Sequence, residues 1–188
     1  MQNTLQLNSG NNSFTEIAHY AGVSKTDWSW GALLFDMDND GYKDIYVCNG
    51  IYKDLTNQDF VDFFANDVMQ RMAITGKKED MQNIIDKMPS TPVANYAFKN
   101  NKNLTFSNEA FNWGLSTPSF SNGAAYGDLD NDGDLDLVVN NVNAPLSVFK
   151  NKTNEKLKNH YLTIHLKGTG RNLNGIGATV TLYQQGNI

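Results

Sequence analysis

Apolar residues fall into short runs separated by stretches rich in Asn, Gly and Asp. Two of the runs, Ile45-Tyr46-Val47 and Leu137-Val138-Val139, are apolar at every position. Short β-branched runs bounded by turn formers predict strands. The same reading gives one set of four strands at Trp30 to Phe35, Ile45 to Asn49, Ala94 to Asn100 and Thr105 to Asn108. A second set follows at Ser121 to Gly127, Leu137 to Asn141 and Leu146 to Asn151, with Tyr161 to Leu166 as a candidate outer strand. Leu5 to Asn8 and Ser13 to Ile17 read as the outer strands of a preceding unit. One stretch breaks the pattern. Phe60, Phe63, Phe64, Val68 and Met72 recur at helical spacing, with Thr56 or Asn57 as N-cap, Asp59 in the first turn and Gly76 as the stop. A shorter helix carrying Met81, Ile84, Ile85 and Met88 ends at Pro89.

Sliding the chain against itself turns this list into an architecture. At an offset of 92 residues the segment from Asn3 to Val47 matches that from Asn95 to Val139 without gaps, pairing Phe14 with Phe106, Ala18 with Ala110, Gly22 with Gly114 and Ser29 with Ser121. A third unit begins near Val142, where Asn143 to Asn151 mirrors Asn95 to Asn100. Duplication of this kind decides the fold: repeated β units, each unable to bury its faces alone. In the later unit only a few residues separate the second and third strands, whereas Gly50 to Val93 intervene in the earlier one. The helical pair is therefore an insertion, at Lys53 to Ser90. An amphipathic face ordinarily finds its own core, so the pair reads as a decoration capping the sheet rather than a lid or a partner-binding element. Small residues in the Gly123 to Gly127 strand predict a crowded innermost position.

Between the first two strands of each unit lies an acidic loop: Asp36-Met37-Asp38-Asn39-Asp40-Gly41-Tyr42-Lys43-Asp44, and Asp128-Leu129-Asp130-Asn131-Asp132-Gly133-Asp134-Leu135-Asp136. Positions one, three, five and nine are Asp in both. Calcium takes roughly 6 to 8 oxygen ligands at about 2.3 to 2.6 Å, which a tightly turned loop can deliver from nearly consecutive residues. On this reading Asp36, Asp38, Asp40 and Asp44 ligate in one loop, and Asp128, Asp130, Asp132 and Asp136 in the other. Tyr42 and Asp134 at position seven would offer backbone carbonyls, and Gly41 and Gly133 the sharp turn. An EF-hand needs a bidentate Glu at position twelve and flanking helices, but Val47 and Val139 stand there and the flanks read as strands. Plain hairpin turns also favour Asp, Asn and Gly, yet a turn has no need of four mutually repelling carboxylates.

A chain of 188 residues, 40% hydrophobic and 19% charged, is long enough for a real core. Its net charge of −5, with no basic run, excludes nucleic acid as a partner. Two Ca²⁺ ions would bring that charge to −1, so the acidity belongs mostly to the loops. The lone Cys48 leaves no intrachain disulfide, and its repeat counterpart is Asn140, which marks an inert strand residue. No apolar stretch reaches the roughly 18 residues of a membrane span, and no signal-peptide pattern opens the chain. Nucleophile-elbow, zincin, Walker A and paired-cysteine motifs are absent, so no catalytic residue is assigned. His19, His160 and His165 are scattered, and His165 reads as a solvent-facing or edge residue. Trp28, Trp30 and Trp113 offer either a sugar-stacking platform or packing in the core and between the repeated units, the commoner use of such rings.

The pattern S-x-G-A-x-x-x-D-x-D-N-D-G-x-x-D-[IL]-x-V, which runs from Ser29 to Val47 and again from Ser121 to Val139, resembles the FG-GAP/VCBS repeats of integrin-α-like β-propellers. The resemblance covers residues 1–151 apart from the insertion. His160 to Gly168 followed by Asn172 to Ala178 looks like the start of an ASPIC/UnbV domain, giving a truncated segment at 159–188 that in related proteins follows such repeats. The resemblance implies a mainly β fold of four-stranded propeller blades, Ca²⁺ in the loops, and export from the cell. A closed propeller needs at least about four blades, and two to three are encoded here, so the expectation is a partial propeller whose edges further blades of a longer parent chain would cover. Two functions stay open: a calcium-binding, non-catalytic extracellular binding or adhesion module facing a protein or glycan, or the accessory propeller portion of a secreted enzyme whose catalytic domain lies elsewhere.

Overall fold

The structure, a computed structural model, describes residues 2–76, 81–157 and 161–183. A β-hairpin, β1 (Gln6–Asn8) and β2 (Phe14–Glu16), leads through the one-turn helix α1 (Ala18–Ala21) into a four-stranded antiparallel sheet. That sheet runs in sequence order as β3 (Ser29–Phe35), β4 (Asp44–Asn49), β5 (Tyr96–Asn100) and β6 (Phe106–Asn108). A three-stranded antiparallel sheet follows, made of β7 (Ser121–Gly127), β8 (Asp136–Asn141) and β9 (Ser147–Phe149), and after it the short α4 (Thr153–Leu157). Between β4 and β5 stand the inserted helices: a π-helical segment Phe60–Ala65 continuing into α2 (Asn66–Thr75), and α3 (Met81–Lys87). The fold is mainly β, built of blade-like sheets that do not close into a ring.

The duplication seen in the sequence is a duplication of backbone bonds. β7 and β8 lie 92 residues after β3 and β4, and both pairs carry a register shift at the same place, between Ser29 and Ala32 and between Ser121 and Gly123. β6 repeats β2 at the same offset. The turns that follow match in detail: Val23 N–H donates to Ala18 O at 3.0 Å, as Leu115 N–H does to Ala110 O at 2.7 Å, and Gly22 and Gly114 take φ of +80° and +75°. The β1–β2 hairpin is therefore the outer half of a blade, the next sheet a complete blade, and β7 to β9 a blade with no fourth strand among the described residues.

Stacking of these units explains why β4 is buried along its whole length. One face of the central blade packs Ile45, Val47 and Phe98 on Ala18, Ala21 and Val23 of the preceding unit. The other face packs Phe35, Tyr46, Cys48 and Ala97 on Ala110, Leu115, Leu137 and Val139. A strand covered on both sides has no polar face to present, so the period-2 alternation that marks a half-exposed strand disappears. The innermost strands meet closely. A Cβ added to Gly31 would lie 3.6 Å from the Cα of Gly123, its repeat counterpart, and Phe35 stacks on Tyr126 with ring centroids 4.3 Å apart.

Two expectations are corrected. Tyr161–Leu166 forms no strand and its residues are exposed, so the outer edge of β9 carries no partner strand among the described residues. Beyond β9 the chain turns into α4 instead, where Asn151 Oδ1 accepts from Thr153 N–H at 3.1 Å. Phe63, assigned to the apolar helix face, is 75% exposed, while Phe60, Phe64 and Met72 are half-buried and Val68 is buried. The π-turn has a smaller angular step than an α-helix, so it keeps residues four apart aligned and swings the residue three apart off the face. Of the two N-cap candidates Asn57 serves, its Oδ1 accepting Phe60 N–H at 2.9 Å.

Candidate metal centres

Each acidic loop leaves the inner strand, turns through two left-handed residues and re-enters the sheet at the next strand. Positive φ occurs at position four as well as six: Asn39 at +53° and Gly41 at +87° in the first loop, Asn131 at +61° and Gly133 at +87° in the second. Asn tolerates this conformation better than other residues with a Cβ. The carboxylates fold the loops from within. Asp36 accepts Asp40 N–H at 3.1 Å and Gly41 N–H at 2.8 Å, and Asp128 accepts Asp132 N–H at 3.2 Å and Gly133 N–H at 3.1 Å. Position five closes the next turn: Asp40 accepts Tyr42 N–H and Asp132 accepts Asp134 N–H, each at 3.0 Å. That second bond, ahead of Lys150, holds the Asp132 carboxyl below its ordinary range.

The ninth-position carboxylates are buried struts. Asp44 accepts Met37 N–H and Asn100 N–H, both at 2.9 Å; Asp136 accepts Leu129 N–H at 3.0 Å and Asn151 N–H at 2.8 Å. Each ties the start of its loop to the end of the third strand of the blade. Burial pushes the Asp44 carboxyl up against the pull of its two amides.

Of the ten residues expected in the two sites, one carboxylate oxygen each from Asp36, Asp38 and Asp40 lie within 4.8 Å of one another, and so do those from Asp128, Asp130 and Asp136. Asp44 and Asp132 stand outside these trios. Tyr42 is exposed, with the Lys102 ammonium 4.6 Å above its ring. Asp134 is buried, and its carboxylate is used between the loops: it accepts Asn39 Nδ2 at 2.6 Å from the first loop and Asn154 N–H at 2.8 Å from α4. A cation already faces each trio. Lys99 of β5 pairs with Asp38 and, at 3.4 Å, with Asp40. Lys150, just past β9, pairs with Asp130 and, at 3.2 Å, with Asp132, and these two carboxylates raise its pKa. Hard oxygen donors converging on a positive charge are the donor set that calcium takes.

The family model of the FG-GAP-like repeat matches residues 1–47 and 86–139, more than half of the chain. The chain belongs to the FG-GAP-like repeat family. The match passes over residues 48–85, the stretch that holds the π-segment and α2, so that helical segment is an addition to the FG-GAP-like repeat. FG-GAP-like repeats are propeller blades, in keeping with the three stacked antiparallel units. A comparison with curated proteins finds no match.

The remaining candidates divide between two places. Trp113 is half-buried against the interblade core and lines a cavity of about 780 Å³ between the FG-GAP-like blades, together with Leu115, Leu137, Phe149, Lys99 and Lys150. Trp28 lines a separate cavity of about 190 Å³ beside Gly50 and Pro89, and Trp30 donates from Nε1 to Gly50 O at 2.7 Å. The three indoles thus form no single platform. Cys48 is fully buried and its thiol is pushed up to about 11 by burial. His165 is exposed, and His160 lies outside the described residues. No helix among the described residues is long and apolar enough to cross a membrane.

Sequence reasoning missed Lys99 and Lys150, although their signal was present. Phe98-Lys99-Asn100 and Phe149-Lys150-Asn151 recur as a unit, and a basic residue kept between the same two neighbours in both acidic units marks a charge partner. The Asn39–Asp134 link carries no such signal, because it joins residues 95 apart through blade stacking.

Proposed function

We propose that both acidic loops bind Ca²⁺ and that the blades they brace form a non-catalytic, extracellular binding or adhesion module. The observation that carries this reading is the repetition of one acidic loop with the same internal hydrogen bonds, bringing three carboxylates together in each copy, at positions one, three and five in the first and one, three and nine in the second, in a chain that belongs to the FG-GAP-like repeat family. Asp36, Asp38, Asp40 and Asp44 would hold one ion, and Asp128, Asp130, Asp132 and Asp136 the other, with the Tyr42 and Asp134 carbonyls completing the sets. Bound calcium would supply positive charge where the carboxylates now repel one another. Its role is structural, since it fixes loops that lie between packed sheets.

Residues 1–151 act in this reading as the blade region and 159–188 as the start of an ASPIC/UnbV-like segment. The ligand is an extracellular protein or glycan met by the blade loops. Isothermal titration calorimetry should find two Ca²⁺ per chain. With free calcium at 100 times the dissociation constant, each independent site contributes about 2.7 kcal/mol to stability. Absence of calcium uptake, or a melting temperature that a chelator leaves unchanged, would overturn the metal assignment. Glycan and extracellular-protein arrays run with calcium and then with chelator test the binding role, and a calcium-dependent hit is the expected result.

A further inference from the structure

Lys99 and Lys150 occupy repeat-equivalent positions, each following the third strand's Phe and preceding the Asn whose backbone N–H meets the ninth-position Asp. Each ammonium is set on the carboxylates at positions three and five of its own loop: Asp38 and Asp40 in one, Asp130 and Asp132 in the other. Other basic residues do not recur in this way. Lys102 reaches Asp40 at 3.3 Å, but its counterpart in the next unit is Thr153. We propose that Lys99 and Lys150 are tethered counterions of the two cages, holding each loop folded without metal and setting its calcium affinity by having to be displaced.

This inference rests on the calcium reading and adds to it a residue that tunes it. Carboxylates crowded within 4.8 Å repel one another in the absence of a cation. An ammonium delivered by the adjacent strand relieves that repulsion without any loss of translational freedom. Ca²⁺ entering the same carboxylates meets a positive charge of the protein's own, so the loop trades affinity for integrity in its metal-free form. Room for the displaced side chains exists, since both lysines line the interblade cavity of about 780 Å³.

The test uses Lys99→Met and Lys150→Met in the full chain, with Lys25→Met as a control that removes the same charge from an exposed site outside both loops. Calorimetric titration with CaCl₂ should show one of the two sites tightened in each loop variant, by roughly 3- to 10-fold at 0.1 M salt for a unit charge removed a few Å from a divalent ion. Metal-free melting in chelator should fall by several degrees for each loop variant and be unchanged for Lys25→Met. Lysine-to-arginine replacements, which keep the charge, should restore most of the metal-free melting temperature. Unchanged or weaker calcium binding in both methionine variants, with wild-type uptake intact, overturns the counterion role and leaves the calcium sites standing. A wild type that takes up no calcium overturns the metal reading and this inference with it. A metal-free melting temperature insensitive to both lysines overturns the inference alone.

Discussion

Replacing Asp136 by Ala separates the structural duty of the ninth-position carboxylate from its duty toward a metal. Asp136 is 2% exposed, and its two oxygens accept backbone N–H groups from Leu129 and Asn151. Hydrogen bonds to a charged group contribute about 1.5 to 3 kcal/mol each, and a donor left unmet in the interior costs about 1 to 3 kcal/mol. Removing the carboxylate and its two bonds therefore costs about 3 to 6 kcal/mol, reduced by about 1 kcal/mol because Asp128 and Asp130 lose a like-charged neighbour. The expected net loss is about 2 to 5 kcal/mol, read by urea denaturation in chelator so that metal plays no part. Asp128→Ala is the comparison. Its carboxylate also accepts two backbone donors, Asp132 N–H and Gly133 N–H, but it is exposed, and water can replace it. That variant should lose less than about 1 kcal/mol in chelator. A metal-free loss below about 0.5 kcal/mol for Asp136→Ala, or one no larger than that of Asp128→Ala, would refute the strut assignment.

Two further outcomes are expected. Deleting Lys53 to Ser90 and rejoining the ends with a short turn should leave the sheet and calcium uptake in both loops intact, because Asp54 N–H already meets Pro89 O at 3.0 Å and brings the ends of the insertion together; loss of all uptake in a soluble deletion variant would show that the helices belong to the blade core. Cys48, fully buried and with its thiol pushed up to about 11, should not react with a disulfide reagent at pH 8 until the chain is unfolded; rapid modification of the native protein would place the thiol at the surface.

The blades were legible because two periodicities agreed. Strand spacing located β7 at Ser121–Gly127, and the 92-residue offset then fixed β3 and β4 against β7 and β8 in register. The acidic loops were legible for a related reason, since their residues act on close neighbours in sequence: Asp36 on Gly41, Asp128 on Gly133. What escaped depends on groups that no local pattern links. The outward turn of Phe63 follows from a π-turn, which sequence spacing tuned to the α-helix cannot anticipate. Asp134 illustrates the same limit: its place in the loop suggested only a backbone carbonyl, yet its buried side chain binds Asn39 of the other loop.

That last bond links the loops to the packing of the blades. Asn39 sits at the tip of the first loop in a left-handed conformation, and its amide reaches Asp134 in the second. Asn154 answers from the other side, its backbone N–H on the Asp134 carboxylate and its side chain on Asp132 O at 2.9 Å. Asn151 meanwhile spans both loops from the end of β9, donating to Met37 O at 2.8 Å and to Leu135 O at 3.2 Å. A change in the conformation of either loop therefore acts on the contact between adjacent blades as well as on its own turn. Asn recurs at these junctions because its amide can donate to a carbonyl or carboxylate without adding charge beside a cage whose balance is set by Asp and Lys. The acidic loops are in this sense part of the joint between the sheets, and an ion that tightens one of them would stiffen the stack that presents the rest of the surface.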